Sequence, residues 1–177
     1  MNGQSTLVAL VADSPGVLTK VATLFRRRGF NIASLNVGHS EEPGVSRMTI
    51  VIEGTGAEIK HCEKQLYKLV EVLKVLNLTE VDRVDKELVL IKVAARGPAR
   101  AEVVGLAQAF DGEVVDVSKD AVVVQLTASP YTIERFLRLA GDFGVLELSR
   151  TGVVTMARGT LDKSKVPARR ANSNHRE

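Results

Sequence analysis

Residues 6–37 read TLVALVADSPGVLTKVATLFRRRGFNIASLNV, and the succession of patterns within them decides the fold. Thr6 to Ala12 is an apolar run of strand length, stopped by the turn formers Asp13, Ser14, Pro15 and Gly16. Val17, Leu18, Val21, Leu24 and Phe25 then recur at helical spacing while Lys20, Arg26, Arg27 and Arg28 take the other side, so the turn leads into an amphipathic helix. Ser14 suits its N-cap, Pro15 its first helical position and Gly29 the residue just past its end. From Asn31 to His39 the period changes to two, with Ala33, Leu35 and Val37 on one face and Ser34 and Asn36 on the other.

Working outward, Glu41 to Gly44 makes a turn and Arg47 to Glu53 alternates again, Met48, Ile50 and Ile52 sharing a face. Gly54 to Gly56 leads into a second helix with the apolar stripe Ile59, Cys62, Leu66, Leu69 and Val70, and a last strand lies within Val72 to Val81. Strand, helix, strand, strand, helix, strand in about 80 residues is the ferredoxin-like split pattern. The pattern then repeats. Glu87 to Ala95 reads as a strand, Ala99 to Phe110 as a helix, Glu113 to Val117 and Ala121 to Thr127 as a hairpin, Tyr131 to Ala140 as a helix, and Val145 to Ala157 as strand with a break near Gly152. Leu24 to Val37 aligns loosely with Leu106 to Val117, which supports the doubling. The expected fold class is therefore α+β: two ferredoxin-like βαββαβ domains, each an antiparallel sheet with helices on one face, at 5–82 and 83–159, with a short linker over Asp82 to Lys86.

Composition narrows the function classes. An apolar share of 45% with 25% charged residues is that of an ordinary globular chain. No apolar run approaches the roughly 20 residues that span a bilayer, and Met1 to Thr6 has no basic region followed by an apolar stretch, so we expect a cytoplasmic protein without a membrane segment. The net charge of +3 arises from the end of the chain: from Arg158 onward six basic residues face two acidic ones, leaving the rest at −1. That basic character belongs to the end of the chain, whose segment 160–177 is rich in Ser, Asn, Ala and Pro and expected to be disordered, and does not argue for a nucleic-acid face. The single cysteine, Cys62, excludes an internal disulfide and reads as a small core residue.

Catalytic constellations are not found. His39, His61 and His175 lack metal-site spacing, no phosphate-binding glycine motif is present, and Ser14, Ser46 and Ser129 sit in turn or cap contexts with no base beside them. What stands out is Asp13-Ser14-Pro15-Gly16-Val17-Leu18, which sets the unpaired amides of a helix start at the end of a strand. A small carboxylate suits those amides, Asp13 can take an ammonium, and Gly16 lets a ligand approach the backbone closely. The same residues also start a helix with no ligand at all, and on their own they leave both readings open.

Several stretches together closely resemble the small regulatory subunit of acetohydroxyacid (acetolactate) synthase, an ACT-domain family. They are LVALVADSPGVL at 7–18, Leu24-Phe25 with RGFNI at 28–32, Ser34-Leu35, SRMTI at 46–50, EKQL at 63–66 with KLV at 68–70, and SRTGVV at 149–154. The resemblance covers about residues 6 to 159. It implies that the first domain is an ACT domain, an effector-binding module, and that valine sits between two such domains of a homodimer. Asp13, Ser14, Gly16, Val17 and Leu18 of one protomer would hold the ligand's polar groups, and Asn31 and Ile32 of the other would close the pocket. The loop position often held by asparagine is Asp13 here, and Pro15 stiffens the turn. Isoleucine and leucine should compete, because a methylene changes hydrophobic binding by only about 1–3 kcal/mol. The implied partner is a large catalytic subunit carrying thiamine diphosphate, magnesium and FAD and condensing pyruvate with a second 2-oxo acid. This chain would carry no cofactor and no catalytic residue; it would raise that subunit's activity and make it inhibitable by valine. The face near Arg47 and Glu63 to Lys68 is the candidate contact surface. Arg96-Gly97-Pro98-Ala99 replaces the loop in the second half, where no like site is expected.

Three rival readings follow from the same topology. RNA-recognition modules stack bases on sheet aromatics, but the seven aromatics here lie almost entirely on helices or element ends, and strands Arg47 to Glu53 and Ala121 to Thr127 have none. An acylphosphatase-like hydrolase needs an arginine in the first loop, where this chain offers Asp13. An ACT-domain sensor for another enzyme of amino-acid metabolism is the nearest alternative.

Overall fold

The computed structural model describes residues 3–159. The chain forms two compact units, one running to Val84 and resuming at Thr155, the other Asp85–Val154. The first holds β1 (Gly3–Ala12), α1 (Val17–Arg28), β2 (Asn31–His39), β3 (Val45–Gly54), α2 (Gly56–Leu66) and β4 (Val72–Asn77). Its strands lie in the order β2-β3-β1-β4, every neighbouring pair antiparallel. The β1–β3 pairing is unbroken from Gly3 opposite Gly54 to Ala12 opposite Val45. Leu7, Ala9 and Val11 of β1 and Met48, Ile50 and Ile52 of β3 pack on one face against Val17, Val21 and Phe25 of α1 and Ile59, Cys62 and Leu66 of α2. Alternation at period two meeting a stripe at period 3.6 is what creates this core.

Local chemistry modifies the sequence expectations at several points. Helix α1 starts two residues later than expected: its N-cap is Gly16, at φ 83°, and among the described residues it has no side-chain cap hydrogen bond, from Ser14 or otherwise. A left-handed residue is needed to turn the chain from the Asp13–Pro15 corner into the helix, and glycine adopts that conformation without steric cost. Gly29, at φ 70°, ends the helix as expected, its amide donating to Arg26 O at 3.2 Å. In β2 a bulge between Ile32 and Ser34 drops Ala33 out of the alternation, so Ile32 and Leu35, three residues apart, lie opposite the core residues Ile52 and Ile50. Helix α2 opens on a capping box, with Glu58 Oε2 accepting from the Thr55 backbone N–H (2.6 Å) and hydroxyl (2.9 Å). It ends at Leu66, leaving Val70 beyond the helix and 75% exposed.

The second unit repeats the pattern with β5 (Arg83–Ala94), α3 (Ala99–Ala109), β6 (Glu113–Val117), β7 (Ala121–Ala128), α4 (Pro130–Gly141) and β8 (Val145–Arg150), in the strand order β6-β7-β5-β8. Val89, Ile91 and Val93 of β5 and Val122, Val124 and Leu126 of β7 pack against Val103 and Ala107 of α3 and Ile133, Phe136 and Ala140 of α4. Ser129 caps α4, its hydroxyl accepting from Thr132 N, ahead of Pro130 at the first turn. Both sheets are antiparallel with their helices on one face, as the sequence pattern requires.

Two details concern the boundary. Strand β5 begins at Arg83, so most of the expected linker is itself strand. The short strand β9 (Val154–Ala157), which the sequence grouped with 83–159, falls from Thr155 onward in the first unit. There Ala157 packs with Val81 against Val8, Leu76 and Leu78, and Arg158 N donates to Asp82 O at 2.9 Å. Val8 and Thr6 point to the face of the first sheet away from the helices and are buried; this segment gives that face a cover. The expected tail at 160–177 lies outside the described residues.

Candidate functional site

The turn between β1 and α1 is held from behind. Asp13 N donates to Gly44 O at 2.8 Å, which ties the corner to the β2–β3 hairpin, and Ala12 N donates to Glu71 O at 2.8 Å on the other side. Glu71 also takes an ion pair from Lys20 of α1. Ser14 N turns back to Ala12 O at 3.0 Å. At the helix start, Val17 N reaches only Ser14 O at 3.4 Å, and the first i→i−4 bond runs from Lys20 N to Gly16 O at 3.0 Å. With no side chain among the described residues capping the end, the leading amides of α1 are available to an acceptor from outside. Apart from its chain neighbours, no atom of the described residues lies within 4 Å of the position a Cβ would take on Gly16, so the approach to the helix start is open there.

The structure brings Asp13, Ser14, Gly16, Val17 and Leu18 together. Asp13 to Gly16 are exposed, Val17 anchors the turn in the core at 4% exposure, and Leu18 stands at the rim at 46%. An exposed apolar side chain, the start of a helix and a carboxylate thus stand together at this turn. Asn31 and Ile32 are not there. Asn31 lies opposite Glu53 at the far end of β3, whereas the turn sits beside Val45 at the near end. Eight residues of strand at about 3.4 Å each separate them by about 27 Å. Asn31 Nδ2 donates to Glu53 Oε2 at 2.7 Å in its own protomer, and Ile32 is half-buried.

Two neighbours of the turn were not singled out by sequence. His39 Nδ1 is 3.2 Å from Asp13 Oδ2, so a histidine read as an isolated surface residue contacts the loop acid. Its signal was available: the last residue of β2 must lie near the end of β1 once both flank β3. Gly44, at φ 76°, supplies the carbonyl that holds Asp13. Arg47, expected on an open contact surface, is instead half-buried and donates from Nη2 to Thr155 O at 2.9 Å. Burial works against its charge, and Glu41 supports it. A hollow of about 730 Å³ lined by Ser5, Thr55, Lys60, Asn77 and Thr79 lies at the end of the sheet remote from the turn. Among the described residues no group of three or more His, Cys, Asp or Glu could hold a metal ion, and no helix is long and apolar enough to cross a membrane.

The two halves of the fold correspond to two family models. Residues 7–74 match one described as the ACT domain of acetohydroxyacid synthase small subunits and their like, and residues 86–159 match one described as the small subunit of acetolactate synthase. The fold and the turn thus define a protein built of an ACT domain followed by a second ferredoxin-like domain. The acetolactate synthase small subunit of Mycolicibacterium smegmatis is 42% identical over 154 residues, covering 87% of this chain and 91% of that protein. That of Bacillus subtilis is 41% identical over 155 residues, covering 87% and 90%. The crystal structure of the acetolactate synthase small subunit from Thermotoga maritima superposes with a TM-score of 0.82 at 41% identity, covering 90% of this chain and 99% of that one. This chain belongs to the family of acetolactate synthase small subunits.

Proposed function

We propose that this chain is the regulatory subunit of acetolactate synthase in branched-chain amino-acid biosynthesis, and that it acts without catalytic residues or a cofactor of its own. Two copies form a homodimer in which the Asp13–Leu18 turn of one faces Asn31 and Ile32 of the other, and valine occupies the space between. Isoleucine and leucine compete for it. The catalytic subunit, with thiamine diphosphate, magnesium and FAD, is the partner; this chain raises its activity and confers feedback inhibition. The setting is the cytoplasm, with neither nucleic acid nor membrane as a partner.

The observation that carries this reading is the separation of the two residue groups within one chain: an open helix start with its acid and apolar neighbour at one end of the sheet, Asn31 and Ile32 at the other. A twofold arrangement joins what the single chain keeps apart. Among the described residues strand β2 is an edge of its sheet, paired with β3 on one side, with Val37 42% exposed, which suits contact with a second copy. The ligand's carboxylate meets the α1 amides and its ammonium meets Asp13, while burial of a valine side chain contributes about 1.5–3 kcal/mol. Sharing the ligand between two protomers couples its binding to their relative arrangement, as allosteric control of a catalytic partner requires.

Calorimetric titration of valine into the purified chain, alongside assay of the catalytic subunit with and without it, tests the proposal. Saturable heat at one valine per protomer, faster turnover on adding the chain and its suppression by valine are expected. No heat and no effect of valine on the reconstituted synthase would remove the effector reading.

A further inference from the structure

We infer that Arg47 is the positioning residue through which occupancy of the Asp13–Gly16 turn is read out at strand β9. This rests on the effector role proposed above and names the path by which that site acts. The turn is bonded to the hairpin that precedes Arg47: Asp13 N donates to Gly44 O at 2.8 Å, and the hairpin is closed by Ser40 N to Val45 O at 2.9 Å. A ligand that draws the Asp13–Ser14 corner toward itself therefore pulls on Gly44, three residues before Arg47. The hairpin also carries Glu41, whose charge acts on Arg47. Arg47 lies opposite Leu10 in β1, two residues from the strand end that enters the turn, so both strands leading to the turn converge on it.

From there the contact runs to a residue 108 positions away, Arg47 Nη2 to Thr155 O at 2.9 Å. Thr155 is 1% exposed and begins the part of β9 that belongs to the first unit. Ala157, two residues on, is packed against Val8, Leu76 and Leu78. The chain re-enters the first unit through this strand, so its fixation is a natural output of the ACT domain. A guanidinium suits the task. Its planar donors make the bond directional, and half-burial leaves less water to replace the carbonyl when the geometry shifts. Arg47 belongs to the SRMTI stretch and Thr155 follows directly on SRTGVV, two of the sequence signatures that the effector turn does not use.

The experiment follows amide hydrogen exchange over residues 154–157 in the full chain with and without valine, in wild type and Arg47→Gln, with calorimetry and inhibition of the reconstituted synthase in parallel. Wild type should exchange more slowly there when valine is bound. Arg47→Gln should bind valine with unchanged Kd, lose the valine-dependent difference at β9, and need about tenfold more valine for half-inhibition, within the usual span of allosteric couplings. A residue that merely anchored β9 would raise exchange equally with and without valine and leave the inhibition constant in place; that result overturns the inference. Should Arg47→Gln fail to fold by circular dichroism, the wild-type measurement decides: β9 exchange indifferent to bound valine refutes it. Absence of heat with wild type would instead refute the effector role itself, and the readout with it.

Discussion

Arg150 grips the carboxylate of Glu87 with two hydrogen bonds of 2.8 Å, Nε to Oε1 and Nη2 to Oε2, and reaches Glu134 with Nη1, also at 2.8 Å. Glu87 is 3% exposed, so this bidentate pair is the means by which an acid is held inside the second unit. It ties β8 to β5 and to the first turns of α4, and the hydrogen bonds to Glu87 and Glu134 favour the arginine's charged form.

Arg150→Met strands that carboxylate. The expected loss is about 3–5 kcal/mol in urea unfolding, because an unpaired buried charge costs more than the pair was worth. Adding Glu87→Leu should recover much of it. If the single variant were as stable as wild type, the pair would have no structural role.

Mixed dimers test the shared pocket. Gly16→Asp puts a carboxylate before the α1 amides, and Gly16→Asn, which tolerates a left-handed backbone without the charge, serves as control. Asn31→Ala removes the contribution of the other protomer. Homodimers of Gly16→Asp or of Asn31→Ala should bind no valine. Dimers pairing one chain of each should bind one valine per dimer, since one of the two pockets then has both wild-type halves. A heterodimer as inert as the homodimers would refute the cross-protomer arrangement.

Cys62 is fully buried in the first core, and burial, followed by the nearby Glu63 charge, pushes its thiol up to about 12. The native protein should resist thiol reagents at pH 8 and react fully in urea. A raised pKa in the folded state means the folded chain keeps the proton longer than the unfolded one. The stability this contributes is complete below about pH 8.5 and falls as the pH rises toward about 12. The stability difference between wild type and Cys62→Ala, measured by urea titration from pH 7 to 11, should show that decline.

Glu58 sits below the usual carboxylate range because the Thr55 backbone N–H, and then its hydroxyl, bond to the charged form. A depressed pKa stabilises the fold above the unfolded value and is lost as the pH falls below about 4. Glu58→Gln keeps an acceptor for the cap without the charge. Comparing acid unfolding of the two proteins should give a gap that is constant near neutrality and closes below that pH; a gap independent of pH would mean the carboxylate's charge is not what the cap uses.

Periodicity fixed the element order, the doubled domain and most core residues, because a change from period two to 3.6 is a local property that Met48-Ile50-Ile52 or Val21-Leu24-Phe25 display without reference to the rest of the chain. The turn Asp13–Leu18 is legible for the same reason, as is the Thr55-x-x-Glu58 cap. What only the tertiary structure decided depends on pairing between distant segments. The bulge that expels Ala33 follows from how β2 meets β3, and the contact of His39 with Asp13 follows from the strand order. The bond from Arg47 to Thr155 follows from the return of β9 to the first unit. Local spacing reports which face a side chain takes on its own element. Which carbonyl or carboxylate waits 108 residues away is set by the free energy of packing the whole sheet, and no window of sequence contains it.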